Sequence, residues 1–258
     1  MCGHSALRVK NRQFFSRVFV LSMSLLYANA VAASEREELI QEVFKSDLVF
    51  PQQAGEIQFS LLPEYAESDE ETSWAVPVSV EYGITDNLQV EFEWVTYGNN
   101  NPDDEGASTG IGDLEIGLQY SWLEIADSPF HAAVGVEFGL PLGDDNKELG
   151  EGEKSLGSYF ILAVDVADNT YAFVQFGVEY PEYEARERYA NLGLISSATD
   201  NVSLTLEYNW EEDAQYLTPG VVWSPIDDWE FAIGVPIGLG DEANDFELIL
   251  HIILEMDS

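Results

Sequence analysis

The sequence predicts an all-β protein, an up-and-down antiparallel transmembrane β-barrel of about twelve strands preceded by a short N-terminal helix. Three observations predict it. From Glu56 onward apolar residues recur at alternate positions in runs of about ten, the period of a strand with one greasy face. The connections between these runs alternate between short and long. All six Trp, at 74, 94, 122, 210, 223 and 229, fall on the apolar face near run ends, where amphipathic rings suit the two boundaries of a lipid layer.

The chain opens on a segment that is not part of the fold. Arg8, Lys10, Arg12 and Arg17 precede a mostly apolar stretch from Val18 to Tyr27, and Ala28-Asn29-Ala30 follows. This is the layout of a secretory signal peptide over residues 1–30, with cleavage after Ala30 or Ala33. The stretch is too short to cross a bilayer as a helix. Cys2, the only cysteine, leaves with it, and because it lies ahead of the apolar stretch it is not a lipoprotein acylation site. Residues 31–55 are expected to form a periplasmic segment with a short helix: Ser34 and Glu37 fit a capping box, and Leu39, Ile40, Val43 and Phe44 form one stripe. Its expected place is the periplasm or the barrel rim, with a plug inside the barrel as the alternative.

Residues 56–258 are the expected barrel. The apolar faces of the first four runs are Ile57, Phe59, Leu61; Trp74, Val76, Val78, Val80, Tyr82; Leu88, Val90, Phe92, Trp94; and Leu114, Ile116, Leu118, Tyr120, Trp122. The next four are Phe130 through Leu142, Leu156 through Val166, Ala172 through Tyr180, and the weaker Ala190, Leu192, Leu194, each read at every second residue. Val202 through Trp210, Leu217 through Trp223, Trp229 through Leu239 and Phe246 through Leu254 complete the set. None of these positions carries a charge. Each run keeps one phase along its length, as a strand must if a single face meets the apolar phase.

Short turns rich in Asp and Asn follow the even-numbered runs, such as Ile84-Thr85-Asp86-Asn87 and Ala167-Asp168-Asn169. These residues tolerate left-handed backbone and bond their own chain. Longer, acidic connections alternate with them, notably Pro63 to Thr72, Gly98 to Gly110, Gly143 to Lys154 and Pro181 to Glu187. An even number of strands with short turns at one end and long loops at the other is the layout of a barrel in the outer membrane of a Gram-negative bacterium. A soluble barrel would show the same alternation with the greasy face inward; the placement of the tryptophans and the export signal favour the membrane. The chain ends Leu254-Glu255-Met256-Asp257-Ser258, without the aromatic residue that commonly closes such barrels.

The second face of the runs holds the acids. With 48 Asp plus Glu against 10 Lys plus Arg, the protein would repel a phosphate backbone, so nucleic acid is excluded as a partner. Glu91, Glu93, Asp113, Glu115, Glu137, Glu179, Glu207 and Glu230 are expected to face the lumen, with no Lys or Arg on that face. In a water-filled barrel such a set concentrates cations and excludes anions. The expected function is passive passage of small molecules, and outer-membrane lipid and a small-molecule or ion solute are the expected partners. The competing expectation is a side-chain-filled lumen, its carboxylates bonded to Tyr159, Tyr171, Gln119 and Gln175. The barrel would then be a non-conducting anchor whose acidic loops bind a partner or divalent cations.

Asp144, Asp145, Glu151 and Glu153, or Asp241, Glu242 and Asp245, are the loop acids that most invite a calcium reading, but their spacing matches no calcium motif, and no metal site or cofactor is expected. Beyond the signal only His131 and His251 remain. A lumen histidine satisfied by a neighbouring carboxylate is the expectation for them, ahead of a barrel-embedded lipid hydrolase; no catalytic residue is assigned.

Three stretches resemble a known family. They are Gly110-Ile111-Gly112-Asp113-Leu114 with the alternating strand to Trp122, the turn Tyr82-Gly83-Ile84-Thr85-Asp86-Asn87-Leu88, and Phe50-Pro51 leading through Gly55-Glu56 into the first strand. Residues 50 to 255 resemble outer-membrane channels of the phenol-degradation-pathway (MetA-pathway) type, distantly grouped with hydrophobic-substrate transporters. The resemblance implies transport across the outer membrane, of small aromatic compounds among the candidates, and carries over no substrate-binding residue.

Overall fold

The computed structural model describes residues 43–68, 71–102, 106–240 and 243–256. The expected signal peptide, and the expected helix up to residue 42, lie outside them. Among the described residues the chain forms twelve antiparallel barrel strands. They are β1 (Ile57–Leu61 and Glu64–Glu67), β2 (Glu71–Thr85), β3 (Leu88–Pro102), β4 (Ser108–Gly110 and Leu114–Trp122), β5 (Phe130–Leu140) and β6 (Ser155–Ala167). There follow β7 (Thr170–Pro181), β8 (Glu187–Thr199), β9 (Val202–Glu211), β10 (Gln215–Ile226), β11 (Trp229–Gly234 and Ile237–Gly238) and β12 (Phe246–Met256).

Each strand pairs with the next, and β1 pairs with β12 from Ile57↔Met256 to Leu61↔Ile252, which closes the sheet. Closure leaves no edge, so the ladder satisfies the backbone where lipid offers no hydrogen bonds. Breaks in strands fall where the sequence forbids a ladder donor or bends the chain. Pro63 divides β1, Pro236 divides β11, and Ile111 to Asp113 divide β4. The gaps are bridged locally, as by Gly112 N–H to Val95 O at 2.8 Å and Val235 N–H to Pro219 O at 3.1 Å.

The alternation read from the sequence is the alternation of the wall. In β9 the residues Ser203, Thr205, Glu207 and Asn209 are buried while Leu204 and Leu206 between them are exposed. Phe176 and Leu192 are more than half exposed, at 55% and 53%. A soluble protein would turn such side chains inward; here they form the outer surface, and the polar positions face in. The protein is therefore an outer-membrane β-barrel, with the sidedness expected of one. Trp122, Trp223 and Trp229 sit beside the short turns, and Trp74, Trp94 and Trp210 toward the other end. Several rings pack in pairs there, such as Tyr120 with Trp122 and Tyr65 with Trp74, both at 4.8 Å.

Residues 43–56 form neither helix nor strand. Val43 to Gln52 lie inside the barrel, the alternative place for this segment, and Gln53 and Ala54 emerge exposed beside the turn at Asp86. Gly55, at φ 92°, turns this strap into β1 against Gly83, where an added Cβ would meet Gln53 O at 1.8 Å.

Candidate functional site

The interior is divided by height. Its short-turn half is filled. Tyr171, His131, Ile195 and Val222, each within a few residues of a short turn, and Ile253, the register partner of Glu230, are at most 1% exposed. Leu48 and Val49 of the strap join them, and the Phe50 ring lies 5.2 Å from Tyr171 and 5.5 Å from His131. His131 is oriented on both sides: Nδ1 accepts from Glu124 N–H at 3.1 Å, so Nε2 faces Asp165 Oδ2, also at 3.1 Å, as the donor. This is a structural histidine satisfied by a carboxylate, as expected of a lumen position. His251 packs its ring 5.2 Å from Phe44.

The strap is bound at mid-height by polar side chains of the wall. Fully buried Glu207 accepts from Phe44 N–H at 2.9 Å, Lys45 N–H at 3.2 Å and Ser46 Oγ at 2.6 Å. A buried carboxylate is tolerable only when charge-assisted bonds of this kind replace water. Gln175 accepts from Asp47 N–H at 3.1 Å and donates to the Asp47 carboxylate. Gln119 donates to Leu48 O at 3.0 Å, and Asn191 to Lys45 O at 2.9 Å. Nearer the short turns Gln52 N–H reaches Gln89 Oε1 at 2.8 Å. The competing expectation paired Gln119 and Gln175 with lumen carboxylates; Gln119 holds the strap carbonyl of Leu48, Gln175 holds the strap's Asp47, and Tyr159 donates to Gln119 at 2.9 Å.

The strap is seated by shape as well. Gly220 and Gly234 are register partners on β10 and β11, and the Phe44 ring fills the notch they leave: an added Cβ would stand 2.0 Å from its Cε2 at Gly220 and 2.4 Å from its Cγ at Gly234. Elsewhere the wall fills its own notches, with Tyr159 over Gly135, Tyr189 over Gly177 and Phe173 over Gly193.

Above the strap, on the side of the long connections, lies a cavity of about 700 Å³. Glu91, Glu93, Glu115, Glu137 and Glu179 line it together with Glu81, and Asp47 joins them from the strap. Glu91 also accepts from Ser79 Oγ at 2.8 Å, and Glu81 from Gln58 Nε2 at 2.8 Å. Five of the eight acids expected in the lumen thus share one chamber. The other three are elsewhere. Glu207 is under the strap, Glu230 accepts from Ser224 Oγ at 2.8 Å near the short turns, and Asp113 serves a loop. Its two carboxylate oxygens accept from Gly143 N–H and Glu151 N–H, both at 2.7 Å, clamping the β5–β6 loop onto the wall. In that loop burial, then the nearby Glu179 and Asp113, push the Glu151 carboxyl above its usual range.

Basic groups also reach the chamber, which the strand pattern did not foretell. Lys45 comes with the strap, its Nζ 3.0 Å from Glu247 Oε2 and 4.0 Å over the Tyr216 ring. Arg186 and Arg188 stand at the rim, from the β7–β8 connection and the start of β8, with Arg188 paired to Glu212. The signal that could have found the strap was the run Leu48-Val49-Phe50-Pro51. It is apolar, it lies between the expected helix and the first strand, and neither element uses it.

No family model and no curated protein sequence matches the chain. Among solved structures it is similar to the COG4313 outer membrane channel from Pseudomonas putida F1, with a TM-score of 0.68 and 12% identity over 83% of this chain and 100% of that one. It is also similar to the KdgM porin, at TM-score 0.55 and 8% identity over 76% of this chain and 98% of that one. At such identities the likeness is one of fold, and the fold is that of outer-membrane channels.

Proposed function

We propose that this protein is a passive outer-membrane channel for small solutes, cation-selective through the acidic chamber, of the phenol-degradation-pathway type. The fold likeness, spanning the whole of the COG4313 channel, supports the channel class. The observation that carries selectivity is the chamber itself: Glu91, Glu93, Glu115, Glu137 and Glu179 converge on one cavity with low-dielectric walls, where like charges focus a field that gathers cations. That lining favours cations over uncharged aromatic compounds. The strap crosses the barrel beside the chamber, and in this reading passage requires the strap to shift from a closed conformation.

The test is reversal potential in a planar bilayer across a KCl gradient. The native chain is expected to give a cation-selective potential that falls toward zero in E91Q/E115Q, with strand content unchanged. A second reading, the non-conducting anchor, is favoured by the filled short-turn half of the interior. Silence of both native and variant barrels at all voltages would establish it and defeat the channel.

A further inference from the structure

A carboxylate on one side and an aromatic face on the other is the chemistry that recognises an organic ammonium ion. Lys45 occupies such a seat, between Glu247 on β12 and Tyr216 on β10. The seat does not owe its shape to the strap. Asn244, just before β12, holds both walls: its Nδ2 donates to Glu247 Oε1 at 2.8 Å and its backbone N–H to the Tyr216 hydroxyl at 3.4 Å. Nor is the seat remote from solute. Lys45 lines the acidic chamber, whereas Tyr216 and Glu247 are buried behind it, 4% and 6% exposed. The lysine side chain covers a site that the chamber would otherwise reach.

We infer that the Tyr216–Glu247 seat is a binding subsite for primary alkylammonium solutes, filled in the closed conformation by Lys45 as a tethered stand-in. The inference rests on the channel reading above and names a solute class for it. The geometry fits that class. A primary ammonium on a flexible methylene chain is what Lys45 presents, and a solute of the same form can make the same ion pair and ring contact. The five chamber acids raise the local concentration of any such cation. Lys45 competes as an intramolecular group, so a solute takes the seat in the fraction of molecules whose lysine has left it.

The experiment is calorimetric titration of the full chain in detergent micelles with n-butylammonium chloride, with n-butanol as the uncharged isostere. Emptying the seat with K45A is expected to tighten n-butylammonium binding about tenfold over the native chain, the gain if Lys45 leaves the seat open a tenth of the time. K45R keeps the seat filled and is expected to bind as the native chain does. Y216L and E247Q, each added to K45A, are expected to abolish the gain, and n-butanol to give no heat in any variant. K45A binding no tighter than the native chain, or binding that survives both added substitutions, would overturn the subsite. Folding of every variant is read from heat-modifiable gel mobility, so an unfolded K45A is not mistaken for a negative, and K45S replaces it if needed. Because titration needs no current, an absent subsite and a silent channel are separate results.

Discussion

Glycine at positions 220 and 234 has its reason in the ring that covers it. Two glycines at a register pair make a gap in the inner surface wide enough for a phenyl group, and the barrel strands supply no aromatic side chain there. Phe44 does. Substituting Gly234 by Ala puts a methyl 2.4 Å from the Phe44 ring, far inside van der Waals contact. The ring is packed from several sides, so overpacking of about 1–3 kcal/mol is expected. The strap, which has no ladder of its own, yields before the closed barrel does. The expected outcome of G234A is loss of amide hydrogen-exchange protection at Phe44 and Lys45 with the strand amides unaffected. G106A, where nothing lies within 4 Å of the added methyl, is the control and is expected to change neither. Protection retained at Phe44 in G234A would mean that the notch is not what seats the strap.

At the scale of elements, what the sequence made legible was what had a period. Each of the twelve runs shows its inner and outer face in the spacing of charge and apolar residues, and the strands follow them, including the weak eighth run at β8. The strap has no period to read, because an extended segment bonded by side chains rather than by a neighbouring strand alternates with nothing. Its partners, Glu207, Gln175, Gln119 and Asn191, look in the sequence like any other inward polar residues. The β5–β6 loop was opaque for the same reason. Asp113 has the strand parity of a lumen acid, yet its oxygens are taken by Gly143 and Glu151. Leu149 locks the loop further: it is buried, its side chain lies over Gly98 and Gly110, where added Cβ atoms would meet it at 3.2 and 2.9 Å, and its carbonyl lies against Gly112 and Gly143. L149A removes the knob from this socket, and a loss of about 2–5 kcal/mol is expected by analogy with buried leucines. Spent on one loop, that loss is local opening rather than unfolding. Trypsin is therefore expected to cut L149A rapidly at Lys147 and Lys154 while the native loop resists and the barrel band stays intact.

For the molecule as a whole, the question is whether selectivity comes from the chamber or from overall acidity. The formal net charge of −38 surrounds the protein with a field of its own, and acids on the exposed loops could draw cations toward the mouth without any filter inside. Salt separates the two. The screening length falls from about 10 Å at 0.1 M to about 3 Å at 1 M, so attraction by exposed loop acids collapses across that range. Carboxylates gathered around a confined space are screened less, because few ions fit between them. Glu91, Glu93, Glu115, Glu137 and Glu179 are such a set, whereas Asp144 and Asp145 are exposed. Native channels are therefore expected to keep most of their cation preference in 1 M KCl, and D144N/D145N to match them at both salt concentrations. E91Q/E115Q is expected to lose preference at both. A preference that vanishes in 1 M KCl in the native channel, or that falls with the loop substitutions, would move the origin of selectivity out to the surface and leave the inner acids without that role.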